Sequence, residues 1–238
     1  MNEPKTCSLL KMIDTMKTCS NAGERFCFIL GAGASVSSGI PSGSTMAAEW
    51  LNYLKKLEPK EMEKWIKENK IDEANIGRFY SKVYERRFYT HPHEGYIWLQ
   101  DAMKDAEPGL GYYHLAKILA SDDALSNLVI TTNFDSLTED AIFMYTQKKP
   151  LIVTHELLAP YMDLSVKRPI IAKIHRDLML RPKNSEAEIS QLAKTWEPVL
   201  KKALGTYSPI VMGYGLWVMA VTTKVLWDFW RMLLEKMT

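Results

Sequence analysis

Residues 26–35 read Phe26-Cys27-Phe28-Ile29-Leu30-Gly31-Ala32-Gly33-Ala34-Ser35, an apolar run stopped by a glycine. So short an uninterrupted run predicts a strand buried on both faces, as in a parallel sheet. Further runs of this kind lie at 127–132, 151–154, 169–174 and 208–212, the last ending at Gly213. Apolar residues at helical intervals predict helices over 8–20, 45–57, 136–147 and 186–204. Strands alternating with helices predict an α/β fold, a doubly wound parallel sheet with helices on both faces. Ligands of such sheets sit at the carboxyl ends of the strands.

Residues 59–105 break the alternation. This stretch is helical, charged and aromatic, with Trp65, Phe79, Tyr80, Tyr84, Phe88, Tyr89 and Trp98, and reads as a helical insertion. Its aromatics suit either the core of a small helical subdomain or a lid over a ligand.

The chain has 238 residues, 47% hydrophobic, enough for one sizeable domain. A net charge of +2 carries no basic field for nucleic acid. Cys7, Cys19 and Cys27 form no CxxC pair, which argues against a disulfide framework and suits a reducing, cytoplasmic setting. They are too few for a four-cysteine zinc site, and His91 and His93 have no third ligand nearby, so no metal is expected. No signal peptide is read at the start. The stretch 216–234 is apolar, but Lys224, Asp228 and Arg231 interrupt it and argue against a membrane span.

Four segments that follow strands carry chemistry. The first is Gly31-Ala32-Gly33-Ala34-Ser35-Val36-Ser37-Ser38-Gly39-Ile40-Pro41, with Val36 where a GxGxxG fingerprint needs its third glycine. Glycines here let backbone amides approach a phosphate, and the Ser35 hydroxyl can join them. The second is Thr131-Thr132-Asn133-Phe134-Asp135. An Asn carboxamide both donates and accepts, so Asn133 can hold a water and sugar hydroxyls. Asn-x-Asp after a strand is equally ordinary turn chemistry, and Asp135 can cap the helix that follows. The third is Lys173-Ile174-His175-Arg176-Asp177, in which His175 can serve as a base. The fourth is Val211-Met212-Gly213-Tyr214-Gly215.

Taken together, GAGASxxSGIP, T-x-N-x-D, K-I-H-x-D and the late G-Y-G resemble the motifs of the sirtuin superfamily, in order, from about residue 26 to 215. The zinc cysteines of the deacylase branch are missing, and Ser42-Gly43-Ser44 replaces its F-R pair. The chain is more similar to the zinc-less sirtuin-like NAD hydrolases of bacterial antiphage defence. The resemblance implies NAD as substrate, split at the nicotinamide–ribose bond with Asn133 and His175 catalytic. It implies NAD contacts from Gly31, Ala32, Gly33, Ser35, Ser38, Gly39, Ile40, Pro41, Thr132, Asp135, Gly213 and Tyr214. It also implies a homo-oligomer and a sensor domain or defence partner protein. NAD-dependent deacylation and non-catalytic binding of NAD or ADP-ribose remain as alternatives. Where the family usually has glycine this chain has Arg176, which either lowers the basicity of His175 or pairs with a phosphate or with Asp177.

The pattern stops after Gly215, where the family continues G-G-N-D-x-S-L-M and this chain reads LWVMAVTTKVLWDFW. Codons permitted for Val218 to Trp230, read from the third base, encode Tyr-Gly-Gly-Asn-Asp-Glu-Ser-Leu-Met-Gly-Phe-Leu. Gly213 to Met219 can be written as tandem GGTTATG units. The expectation is a domain over 1–215 and an aberrant, frame-shifted tail over 216–238, the product of an inactive or phase-variable gene. Genomic codons lacking the tandem unit exclude it.

Overall fold

The computed structural model describes residues 6–121, 126–178 and 186–214. All five expected strands form: β1 (Arg25–Leu30), β2 (Leu128–Thr131), β3 (Leu151–Val153), β4 (Ile170–Lys173) and β5 (Tyr207–Met212). They make one all-parallel sheet in the order β3-β4-β2-β1-β5, with Ile29 level with both Ile130 and Val211.

The two-residue period of a strand divides these apolar runs between two cores. Phe28, Leu30, Val129 and Ile171 face one core and Cys27, Ile29, Leu128, Ile130, Ile170 and Ala172 the other. The first core is closed by α2 (Gly43–Leu57), α6 (Leu110–Leu119) and α7 (Leu137–Thr146), through Trp50, Leu51, Leu115, Leu119, Leu137 and Ile142. The second is closed by α8 (Glu186–Thr206), through Trp196, Leu200, Ala203 and Leu204, and by a 3-10 turn, Glu156–Tyr161. The sheet is therefore doubly wound, as expected. From β1 to β3 the chain steps one way over the first face, and from β3 to β5 it returns over the second. Crossovers of a single hand require this arrangement.

The insertion consists of α3 (Pro59–Glu68), a 3-10 turn (Glu73–Phe79), α4 (Tyr80–Phe88) and α5 (Pro92–Met103). Trp50 of α2 is its anchor, with ring centroids 5.3 Å from Tyr80, 5.5 Å from Tyr84, 5.4 Å from Phe88 and 4.9 Å from Trp98. The insertion thus shares its core with the first face of the sheet.

Two elements differ from the sequence reading. A 3-10 turn, Ala32–Ser38, follows the glycine loop, where the sequence reading gave no element. Helix α6 was not predicted, since Pro108, Gly109 and Gly111 crowd its start. The predicted helix over 8–20 forms as α1 (Leu9–Asn21), yet it buries no residue, and Leu9 and Leu10 lie exposed. Among the described residues no helix is long and apolar enough to cross a membrane. The expected aberrant tail, 216–238, lies outside the described residues.

Candidate functional site

A cavity of about 260 Å³ opens at the carboxyl edge of the sheet. Eleven of the residues singled out from sequence line it: Ala32, Gly33, Ser35, Ile40, Pro41, Thr132, Asn133, Asp135, His175, Gly213 and Tyr214. Gly31, Ser38 and Gly39 do not. Gly31 lies against the Tyr214 ring, the Ser38 hydroxyl accepts from the Gly109 amide at 3.1 Å, and Gly39 ends the 3-10 turn at φ 92.

Asn133 follows β2, its amide turned onto Thr131 Oγ1 at 3.0 Å while that hydroxyl donates to the Leu30 carbonyl at 3.0 Å. Its side-chain Nδ2 donates to the Gly31 carbonyl at 3.2 Å and to Ser35 Oγ at 3.1 Å. Ser35 Oγ also donates to Asp135 Oδ2 at 2.8 Å and lies 2.8 Å from the Tyr112 hydroxyl. A serine hydroxyl has one proton and two lone pairs. With a carboxylate and an amide N–H as two partners, Tyr112 must be the donor of the third bond. Ser35 is then saturated by protein partners and braces Asn133 and Asp135.

Asp135 caps the helix that follows, as one of its two readings had it. Oδ1 accepts from the Leu137 amide at 3.2 Å, capping α7, and the residue also lines the cavity. Burial pushes its pKa up, opposed by the Ser35 hydrogen bond, the Leu137 amide and the Lys173 charge. Lys173, at the end of β4, is almost wholly buried. Its ammonium reaches the Asp135 carbonyl at 2.7 Å, Asp177 Oδ2 at 2.6 Å and Glu139 Oε1 at 2.6 Å. Burial works against that charge, but the Glu139 and Asp177 carboxylates outweigh it and hold the pKa above the usual lysine value.

His175 sits two residues beyond the end of β4, 6% exposed, and burial lowers its pKa to about 4. The imidazole is neutral at pH 7. Arg176 is not the cause. Its guanidinium forms a two-pronged pair with Glu156, Nε to Oε2 at 2.9 Å and Nη2 to Oε1 at 2.5 Å. Arg176 has φ 69, the left-handed region that glycine enters without cost, which accounts physically for a glycine-preferring position.

Among the described residues, two buried polar atoms on the cavity-lining side chains have no hydrogen-bond partner: Asn133 Oδ1 and His175 Nε2. Such atoms are costly unless something pairs with them, so they mark a place where a ligand or water belongs.

The glycines serve a closer purpose than expected. A Cβ on Gly31 or Gly33 would lie 2.8 Å from the Gly213 carbonyl oxygen, and one on Gly213 would lie 2.2 Å from the Ala34 nitrogen. The loops after β1 and β5 cross here, with the Gly31 amide donating to Met212 O at 3.0 Å and Gly33 to Gly213 O at 2.8 Å. The Ala34 amide donates to Gly31 O at 2.9 Å. These amides are engaged within the protein rather than presented to a phosphate. Tyr214 is tied to Thr132, the two hydroxyls 2.8 Å apart, and burial pushes its phenol up to about 12.

Sequence reading missed Tyr112, and it named the far wall of the cavity only in part, through Phe134, Tyr80 and the lid reading of the insertion. That wall comes from Met46 of α2, Phe134, and Gly77, Tyr80, Ser81, Leu99 and Met103 of the insertion. The aromatic insertion is both core and cavity wall, so its two readings are not exclusive. The helical stripe Tyr112, Leu115, Ala116, Leu119 signals burial of Tyr112, but nothing local signals its hydroxyl's partner. The chain matches no protein-family model and no curated protein.

Proposed function

We propose that the chain is a sirtuin-like NAD hydrolase that splits the nicotinamide–ribose bond to give nicotinamide and ADP-ribose. The observation that carries this reading is the pair of buried polar atoms without a partner among the described residues, Asn133 Oδ1 and His175 Nε2, on side chains lining one cavity at the carboxyl edge of a parallel sheet. Hydrolysis here requires placement of a water and a ribose more than a strong acid, because nicotinamide leaves as a neutral molecule with the bonding pair. Asn133 Oδ1 accepts a hydrogen bond from the water. As the C1′–N bond breaks, the water oxygen bonds to C1′ and its proton passes to His175 Nε2, which is neutral at pH 7 and free to accept. The apolar wall of Met46, Leu99 and Met103 suits the nicotinamide ring and keeps bulk water away. The cavity lies just under the roughly 300–1,000 Å³ usual for small-molecule sites, so it takes the nicotinamide–ribose half of the dinucleotide. A cytoplasmic role in antiviral defence through NAD depletion, with an oligomeric state and a sensor partner, belongs to this reading through the sequence resemblance alone.

The low basicity that burial gives His175, with its pKa at about 4, favours a second reading, a module that binds NAD or ADP-ribose without cleaving it. Nicotinamide release from NAD separates the two. The expected result is turnover by the wild type that Asn133→Ala abolishes. ADP-ribose binding with no nicotinamide release would leave only the binding module.

A further inference from the structure

We propose that Tyr112 is a positioning residue for Asn133, acting on it both directly, hydroxyl to carboxamide, and through Ser35. Tyr112 comes from α6, outside every motif in the sequence, and does not line the cavity. Its side chain is 4% exposed, and burial raises its phenol pKa, so the hydroxyl stays protonated and available as a donor. It donates to Ser35 Oγ at 2.8 Å. That bond occupies one of the two Ser35 lone pairs and stops the hydroxyl rotor, whose single proton then lies on Asp135 Oδ2 at 2.8 Å. The remaining lone pair accepts Asn133 Nδ2 at 3.1 Å. With its other Nδ2 proton on the Gly31 carbonyl, the carboxamide is held by both N–H groups. Oδ1 is the one atom of that amide left without a protein partner. Without the Tyr112 hydroxyl, Ser35 keeps Asp135 and Asn133 as partners but one of its lone pairs is left open, so the hydroxyl and the Asn133 carboxamide it holds are less firmly fixed. Donors chained in this way also strengthen one another, so losing the first weakens the others.

The inference rests on Asn133 acting in NAD cleavage, but its test does not rest on cleavage alone. Tyr112→Phe keeps the ring and its packing and removes only the hydroxyl. Loss of one buried hydrogen bond to the reacting geometry should lower kcat for nicotinamide release about tenfold and leave KM near its wild-type value. Hydrogen exchange at the Asn133 side-chain amide, followed by nitrogen-15 NMR, should quicken by a similar factor. Tyr145→Phe is the control, since its hydroxyl donates to the Pro108 carbonyl at 3.1 Å and touches none of this network. Ser35→Ala, which removes the hub itself, should speed the exchange at least as much. Wild-type kcat and wild-type exchange in Tyr112→Phe would overturn the proposal. If the wild type releases no nicotinamide, the hydrolase reading falls, and the exchange measurement decides the role of Tyr112 by itself.

Discussion

His175 shows how far a single side chain's surroundings decide its chemistry. Its motif marks it as a base, but the folded protein moves its pKa from 6.5 to about 4 through burial. The sign of the consequence follows from linkage. As pH falls, the unfolded chain takes up the proton first, so this group's stabilising contribution is complete above pH 6.5 and is lost as pH falls towards 4. The full contribution is about 3 kcal/mol on this shift. His175→Gln should therefore flatten the dependence of unfolding free energy on pH between 6.5 and 4, read by urea denaturation at several pH values. An unchanged slope would mean that the imidazole is solvated in the folded state. The same motif holds Lys173 and Arg176, whose roles no local pattern revealed. Their partners, Glu139 and Glu156, come from α7 and the 3-10 turn after β3, 34 and 20 residues away in the chain.

At the scale of elements, the glycine loop was recognisable from its letters, but its packing was not. The run Phe26–Leu30 ending in Gly31 marked both the strand and the turn after it. What made glycine necessary at 31, 33 and 213 was the crossing of two loops some 180 residues apart in the chain. Gly213 and Gly39 both have positive φ, at +74 and +92, but only Gly213 is crowded. Gly39→Ala should cost about 1–2 kcal/mol, the backbone penalty alone. Gly213→Ala adds a steric overlap with the Ala34 backbone and should cost about 2–5 kcal/mol. Thermal melts of the two variants compare these costs directly, and equal losses would show that the loops do not cross as described.

The sheet and the insertion should unfold as one cooperative unit, because among the described residues they share one core. Trp50 belongs to α2, packs on Tyr80, Tyr84, Phe88 and Trp98, and lies in the same cluster as Phe28 and Leu30 of the sheet. Urea unfolding followed by tryptophan fluorescence and by far-ultraviolet circular dichroism should give coincident single transitions. Trp50→Ala should shift both together by about 3–5 kcal/mol. Two separated transitions would make the insertion an independent domain and leave the cavity's far wall on a movable part. The sequence alone determined the strands, the alternation with helices and the place of each motif at a strand's carboxyl end, because periodicity and glycine stops are local properties of the chain. Only the tertiary structure decided which donors are already engaged and which acceptors are left open. Ser35 meets Tyr112 across 77 residues and Asp135 across 100, and a hydroxyl's single proton can be assigned only when every neighbour is in place.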